Sequence, residues 1–273
     1  MTAPNSPLGV AGVLDACRAE GRAALIGYLP VGFPTVEGSI AAMVAMVEAG
    51  VDIVEVGVPY SDPLMDGPVI QHAAATALAG GTRVADTFAA TKAVRAAGVP
   101  PLVMSYWNLV LRSGVDAYAA RLAAAGGAGL ITPDLIPDEA DEWIAASERH
   151  GLDRVFLVAP SSTDERLTRV TSACRGFVYA ASTMGVTGAR DTVGGGAEHL
   201  VRRTRAVTDL PVCVGLGVST RAQAAQVAGF ADGVIVGSAL VRCLIQAREL
   251  GEGLEALRLL TAELAAGVRE GRR

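Results

Sequence analysis

The chain has 273 residues and a formal net charge of −5, and it is 51% hydrophobic yet only 4% aromatic. That length allows a sizeable core, which Ala, Val, Leu and Gly must fill in place of large rings, a profile suited to helices packed tightly on a sheet. The acidic balance and the lack of a basic stripe exclude an obvious nucleic-acid or anionic-membrane surface.

Lysine occurs once, as Lys92, a trait of base composition and not of function. Cys17, Cys174, Cys213 and Cys243 are scattered without a CxxC pair, and His72, His150 and His199 lack ligand spacing. Neither a zinc site nor a disulfide framework is expected, and a reducing, cytoplasmic setting fits. The first seven residues lack a charged region followed by an apolar run, so secretion is not expected. No uncharged stretch reaches the ~18 residues of a membrane span.

In chain order, short apolar runs predict strands over 23–29, 52–56, 102–105, 129–132, 155–158, 177–181, 212–215 and 233–236. Continuous Val, Ile and Leu without polar alternation marks strands covered on both faces, as in parallel sheets. Helical patterns fill the gaps. A helix over 8–20 precedes the first strand, where it could plug a barrel floor. Residues 68–98 hold two helices interrupted at Gly80-Gly81, and a helix over 138–150 ends at Gly151. The runs Ser162-Thr163-Asp164-Glu165 and Thr220-Arg221-Ala222-Gln223 spell capping boxes that open the fifth and seventh helices.

Eight strand–helix alternations within a length near ~250 residues predict an α/β fold, a TIM (β/α)8 barrel. The first helix, the pair between the second and third strands, and helix after the eighth strand are additions to it. No linker or change of composition divides the chain, so residues 1–273 are expected to form one domain. An open doubly wound sheet is the alternative, but no GxGxxG turn follows the first strand.

A barrel places its chemistry where strands end. The special residues do fall there: Tyr28, Glu55, Tyr106 with Asn108, Asp134, Tyr179, Gly215 to Gly217, and Gly237 with Ser238. Glu55 shares its strand face with Ile53, opposite Val54 and Val56. A carboxyl group pointing into a barrel must be paired, hydrogen-bonded or protonated, and desolvation raises its pKa toward acid–base use. A structural glutamate bonded to backbone or tyrosine is the alternative. The loop that follows adds two carboxylates: Asp62, before a proline, organises the turn, whereas Asp66 can extend over the pocket.

Glycine turns follow the last three strands: Gly185-Val186-Thr187-Gly188, Gly215-Leu216-Gly217 and Gly237-Ser238. Glycine lets backbone N–H groups approach an anion, and Ser238 can open a helix whose N-terminus attracts phosphate. The sixth loop, 182–190, has the length and glycine spacing of a closing lid.

The run Val54-Glu55-Val56-Gly57-Val58-Pro59-Tyr60-Ser61-Asp62-Pro63-Leu64-Met65-Asp66-Gly67-Pro68 resembles the signature segment of the tryptophan synthase alpha chains. With the tyrosines and phosphate turns, the resemblance covers nearly the whole chain. It implies a lyase that cleaves indole-3-glycerol phosphate to indole and glyceraldehyde 3-phosphate. Glu55 would be the general acid/base and Asp66 the carboxylate that holds the indole N–H, with Tyr179 near Glu55. Tyr28 and Met104 would line the indole pocket and Tyr106 its rim. Gly188, Gly217, Gly237 and Ser238 would hold phosphate, and Thr187 would close toward Asp66. No cofactor is implied here, since pyridoxal phosphate belongs to the beta chain, the expected partner in an αββα heterotetramer.

The sequence departs from the usual family spelling at Leu29-Pro30-Val31-Gly32-Phe33-Pro34 and at Met65. Three other readings stay open: a free-standing indole-releasing lyase, a weakly catalytic barrel kept as an allosteric partner, and an unrelated phosphate-handling barrel. A Schiff-base aldolase is excluded, because Lys92 falls in a predicted helix and not at a strand end.

Overall fold

The computed structural model describes residues 9–181, 195–215 and 217–271. Its strands are short and all parallel: β1 (Ala24–Pro30), β2 (Ile53–Gly57), β3 (Pro101–Met104), β4 (Gly129–Ile131), β5 (Asp153–Val155), β6 (Leu157–Val158), β7 (Val178–Ala181), β8 (Val212–Gly215) and β9 (Gly233–Val236). They form one sheet in the order β5-β4-β3-β2-β1-β9-β8-β7-β6.

The two ends of that order are neighbours in the chain, parted only by Phe156. On one flank Val155 O accepts from Thr132 N (3.3 Å); on the other, Arg154 O accepts from Arg175 N (2.8 Å) and Phe156 O from Tyr179 N (3.2 Å). One extended segment therefore joins both ends and closes the ring. The expected fifth strand appears as two pieces because it changes partner at Phe156. Closure also removes the open doubly wound alternative, which would leave two free edges.

Strand alternation sorts the apolar residues into two shells. Leu25, Leu29, Val54, Val56, Val103 and Val214 face outward and pack beneath the helices. Ile26, Ile53, Leu102, Ile131, Val155, Phe177, Cys213 and Ile235 fill the interior. Helix α1 (Val10–Ala19) adds Val10, Leu14 and Cys17 to that inner shell, so the expected floor plug is found. Beside it, Arg22 grips Asp52 with two bonds of 2.8 and 2.9 Å, and Asp52 also accepts from Leu25 N.

The outer layer holds α2 (Val36–Glu48), α3 (Pro68–Ala79), α4 (Val84–Ala96), α5 (Trp107–Ser113), α6 (Val115–Ala124), α7 (Asp141–His150), α8 (Asp164–Ala173), α9 (Gly195–Arg205), α10 (Arg221–Ala228), α11 (Ser238–Gln246) and α12 (Leu250–Glu270). The expected break at Gly80-Gly81 separates α3 from α4. A second pair, α5 and α6, parts at Gly114 (φ +78°), a turn the periodicity did not reveal. Two caps differ in detail from the sequence reading. Thr163, not Ser162, caps α8 by accepting from Arg166 N at 3.2 Å. Thr220 caps α10, but Gln223 returns its bond to Ser219 N and not to Thr220. Among the described residues no helix is long and apolar enough to cross a membrane.

Candidate active site

The carboxyl-terminal ends of the strands enclose a cavity of ≈ 290 Å³, above the inner apolar shell. Glu55 reaches it because β2 alternates: Ile53 points into the shell below, and Glu55 comes one step nearer the mouth. Its register partners are Tyr28 on β1 and Leu102 on β3. Glu55 is 1% exposed, and its Oε1 has no hydrogen-bond partner. Burial alone pushes its pKa up to about 8. A carboxyl group without a partner in such a place stays protonated near neutral pH.

Asp66 comes to the same cavity from the β2–α3 loop. Burial raises its pKa as well, but the Tyr106 hydroxyl beside it favours the carboxylate and opposes the rise. That hydroxyl also accepts from Leu64 N (3.1 Å) and Met65 N (3.0 Å), so Tyr106 fixes the loop that carries Asp66. Tyr106 is not among the residues that line the cavity. Its ring stacks on Tyr60, with centroids 4.9 Å apart, and Asn108 donates to the Tyr60 hydroxyl at 3.4 Å. Asp62 is exposed and accepts from the Ser61 hydroxyl, in keeping with a turn role. Asp134 accepts from Trp107 N and so holds the start of α5.

Two more tyrosines complete the walls. A Cβ on Gly57 would lie 2.5 Å from the Tyr28 hydroxyl, and one on Gly215 would lie 2.5 Å from the Tyr179 hydroxyl. Each ring is thus laid over a glycine of the next strand. Gly215, expected in a phosphate turn, serves here as a seat for Tyr179. Glu55 is the charge that Tyr179 feels most strongly, second only to burial in raising its pKa.

Across the cavity lie Gly217, Gly237 and Ser238. Gly217 adopts φ +70°, and its missing side chain leaves open space. Ser238 is the first residue of α11, so free backbone N–H groups and the positive end of the helix dipole converge there. Thr187 and Gly188, with the rest of the expected lid over 182–190, lie outside the described residues.

Met104 lines the cavity as expected. Ile70, Leu157, Ala181 and Ile235 line it too and were not singled out from sequence. Leu157 and Ile235 were legible in principle, since strand parity puts both on the inward face. A second hollow of ≈ 420 Å³ shares Met65, Leu157 and Ala181 with the first. Among the described residues that line it there is no carboxylate, whereas the smaller cavity holds Glu55 and Asp66. Lys92 is exposed on α4 and does not line the cavity.

The profile of the family described as Tryptophan synthase alpha chain matches residues 14–269. The Salinispora arenicola tryptophan synthase alpha chain is 68% identical over 97% of this chain and 98% of its own length. The corresponding Mycobacterium tuberculosis protein is 67% identical over 95% of this chain and 94% of itself. Among solved structures, the M. tuberculosis tryptophan synthase in space group F222 superposes with a TM-score of 0.89 at 65% identity, covering 95% of this chain and 98% of that one. The alpha subunit from Legionella pneumophila gives 0.86 at 32% identity, covering 95% and 97%. The chain belongs to the tryptophan synthase alpha chain family, the lyases that cleave indole-3-glycerol phosphate and pass indole to a beta subunit.

Proposed function

We propose that this chain performs its retro-aldol cleavage with Glu55 as the proton carrier and Asp66 as the fixed negative charge. Glu55 gives its proton to indole C3, and the ring becomes a cation centred on N1. Asp66 accepts a hydrogen bond from N1–H and stabilises that cation. The bond between C3 and the adjoining side-chain carbon then breaks, and its electrons return to the ring. The hydroxyl of that carbon yields its proton to the Glu55 carboxylate, which leaves indole, glyceraldehyde 3-phosphate and a reprotonated Glu55.

The observation that carries this reading is the unpartnered, buried Glu55 on the cavity wall, an acid whose pKa of about 8 lets it both give and take a proton. Tyr179 backs Glu55, and Tyr28 and Met104 flank the indole ring. Gly217, Gly237 and the α11 N-terminus at Ser238 hold the phosphate, joined by Gly188, while Thr187 closes over the site. Tyr106 acts on substrate through the Asp66 loop. No step calls for a cofactor in this chain; pyridoxal phosphate is assigned to the beta partner. We further assign the chain to a single domain, to an αββα heterotetramer and to the cytoplasm.

The test is indole release from indole-3-glycerol phosphate by the purified chain, alone and with a beta chain. Equimolar indole and glyceraldehyde 3-phosphate are expected. Neither product under either condition would overturn the reading.

A further inference from the structure

One polar group in the cavity has no part in the chemistry above. Tyr28 leaves β1, passes Gly237, which follows β9, and ends over Gly57 of β2: a Cβ on Gly237 would lie 3.2 Å from the near side of its ring, and one on Gly57 would lie 2.5 Å from its hydroxyl. The ring therefore runs from the strand end next to Ser238, where phosphate is placed, to the strand that carries Glu55. Gly57 follows Glu55 by two residues on the same strand face, so the hydroxyl sits one step nearer the mouth than the Glu55 carboxyl. Asp66 and then Glu55 are the charges that act most strongly on it. It makes no hydrogen bond to any described residue, although Tyr28 is only 8% exposed.

A phenol held in an apolar wall, and kept protonated there, is a donor in need of an acceptor. None of the described residues supplies that acceptor. At the Glu55 end of the substrate, the polar atom outside the indole ring is the oxygen on the carbon bonded to indole C3. We propose that the Tyr28 hydroxyl donates a hydrogen bond to that oxygen and so turns the substrate hydroxyl's own proton toward Glu55. Tyr28 is then a substrate-positioning residue, and not merely an apolar wall of the indole pocket. The assignment rests on the proposed reading of the site.

Tyr28→Phe removes one oxygen and keeps the ring over Gly57. The decisive comparison uses indole-3-propanol phosphate, which retains ring and phosphate but lacks both side-chain hydroxyls. With indole-3-glycerol phosphate, kcat/KM is expected to fall about 10-fold, mostly in kcat. Affinity for the hydroxyl-free analogue, and for indole, should stay within about twofold, which also certifies the fold. Equal weakening of all three ligands would reduce Tyr28 to a packing residue, and unchanged kcat/KM would remove the hydrogen bond; either overturns the proposal while leaving Glu55 and Asp66 in place. A wild-type chain that makes no indole would overturn the parent reading and this one together.

Discussion

At the scale of single residues, the proposed mechanism depends on the contrast between two carboxyl groups. Glu55 is buried without a partner and has a pKa near 8, whereas Asp66 is held at the rim by a loop tied to Tyr106. The proposed mechanism requires Glu55 protonated and Asp66 ionised. The profile of kcat/KM against pH should therefore be a bell. It falls on the alkaline side as Glu55 ionises near pH 8, and on the acid side as Asp66 takes up a proton above its ordinary 3.8. A profile still rising at pH 9 would contradict these roles.

The same shift bears on stability. Glu55 has a folded pKa near 8 against an ordinary 4.5, so the native state binds more protons than the unfolded chain between those values. Stability contributed by the protonated group is complete below pH 4.5 and is lost as pH rises through 8. Glu55→Gln lacks this dependence. Its Tm should exceed wild type at pH 8, with the difference shrinking toward pH 4.5. Calorimetry at the two pH values checks it, and a variant less stable than wild type at pH 8 would mean Glu55 is a structural residue after all. Sequence alone brought Glu55 into view because a charged residue interrupted an apolar strand. It left open whether backbone or tyrosine satisfied the side chain, since that depends on neighbours from other strands.

At the scale of elements, strand parity decides most of the architecture. Alternation places Ile53 and Glu55 inward and Val54 and Val56 outward, and both assignments hold in the folded barrel. The seam at Phe156 was hidden, because one apolar run cannot announce that its two halves bond to different neighbours. The ring seats at Gly57 and Gly215 were hidden for a related reason: a glycine's use there depends on a tyrosine from the adjacent strand. The floor plug was legible from its position before β1. Leu14 of that plug is 2% exposed, and Leu14→Ala should cost about 3 kcal/mol, or roughly 6–12 °C in Tm, without changing kcat. Loss of activity with no loss of stability would argue that α1 does more than fill the barrel. On the opposite face, Gly217→Asp puts a side chain and a like charge into the open space at φ +70°. Binding of indole-3-glycerol phosphate should weaken at least ~10-fold, while the weak binding of indole, which carries no phosphate, changes little. Equal loss for both would point to misfolding and not to a phosphate site.

At the scale of the whole molecule, the strand-end face combines the cavity with exposed apolar groups. Leu64 is 80% exposed and Leu111 is 53% exposed, on the β2–α3 loop and on α5. Between them Asn108 reaches Tyr60, Tyr60 stacks on Tyr106, and Tyr106 holds the loop of Leu64, Met65 and Asp66. A beta chain docked on this face would press on the same loop that positions the carboxylate. Such coupling is typically worth ~1–3 kcal/mol, so the cognate beta chain should accelerate indole formation at least ~5-fold. Asn108→Ala should lower that acceleration more than it lowers the basal rate. A chain already fast alone, and indifferent to beta, would favour a free-standing lyase.

The central claim is that one buried acid carries the proton in both directions. It is tested most directly by indole formation from indole-3-glycerol phosphate in Glu55→Gln, measured in single turnover with saturating beta chain and with the fold verified by calorimetry. The amide keeps the shape of the side chain but cannot shuttle a proton, so the rate should fall by more than ~10²-fold. A variant that retains a tenth of the wild-type rate would contradict the account and remove Glu55 from the chemistry.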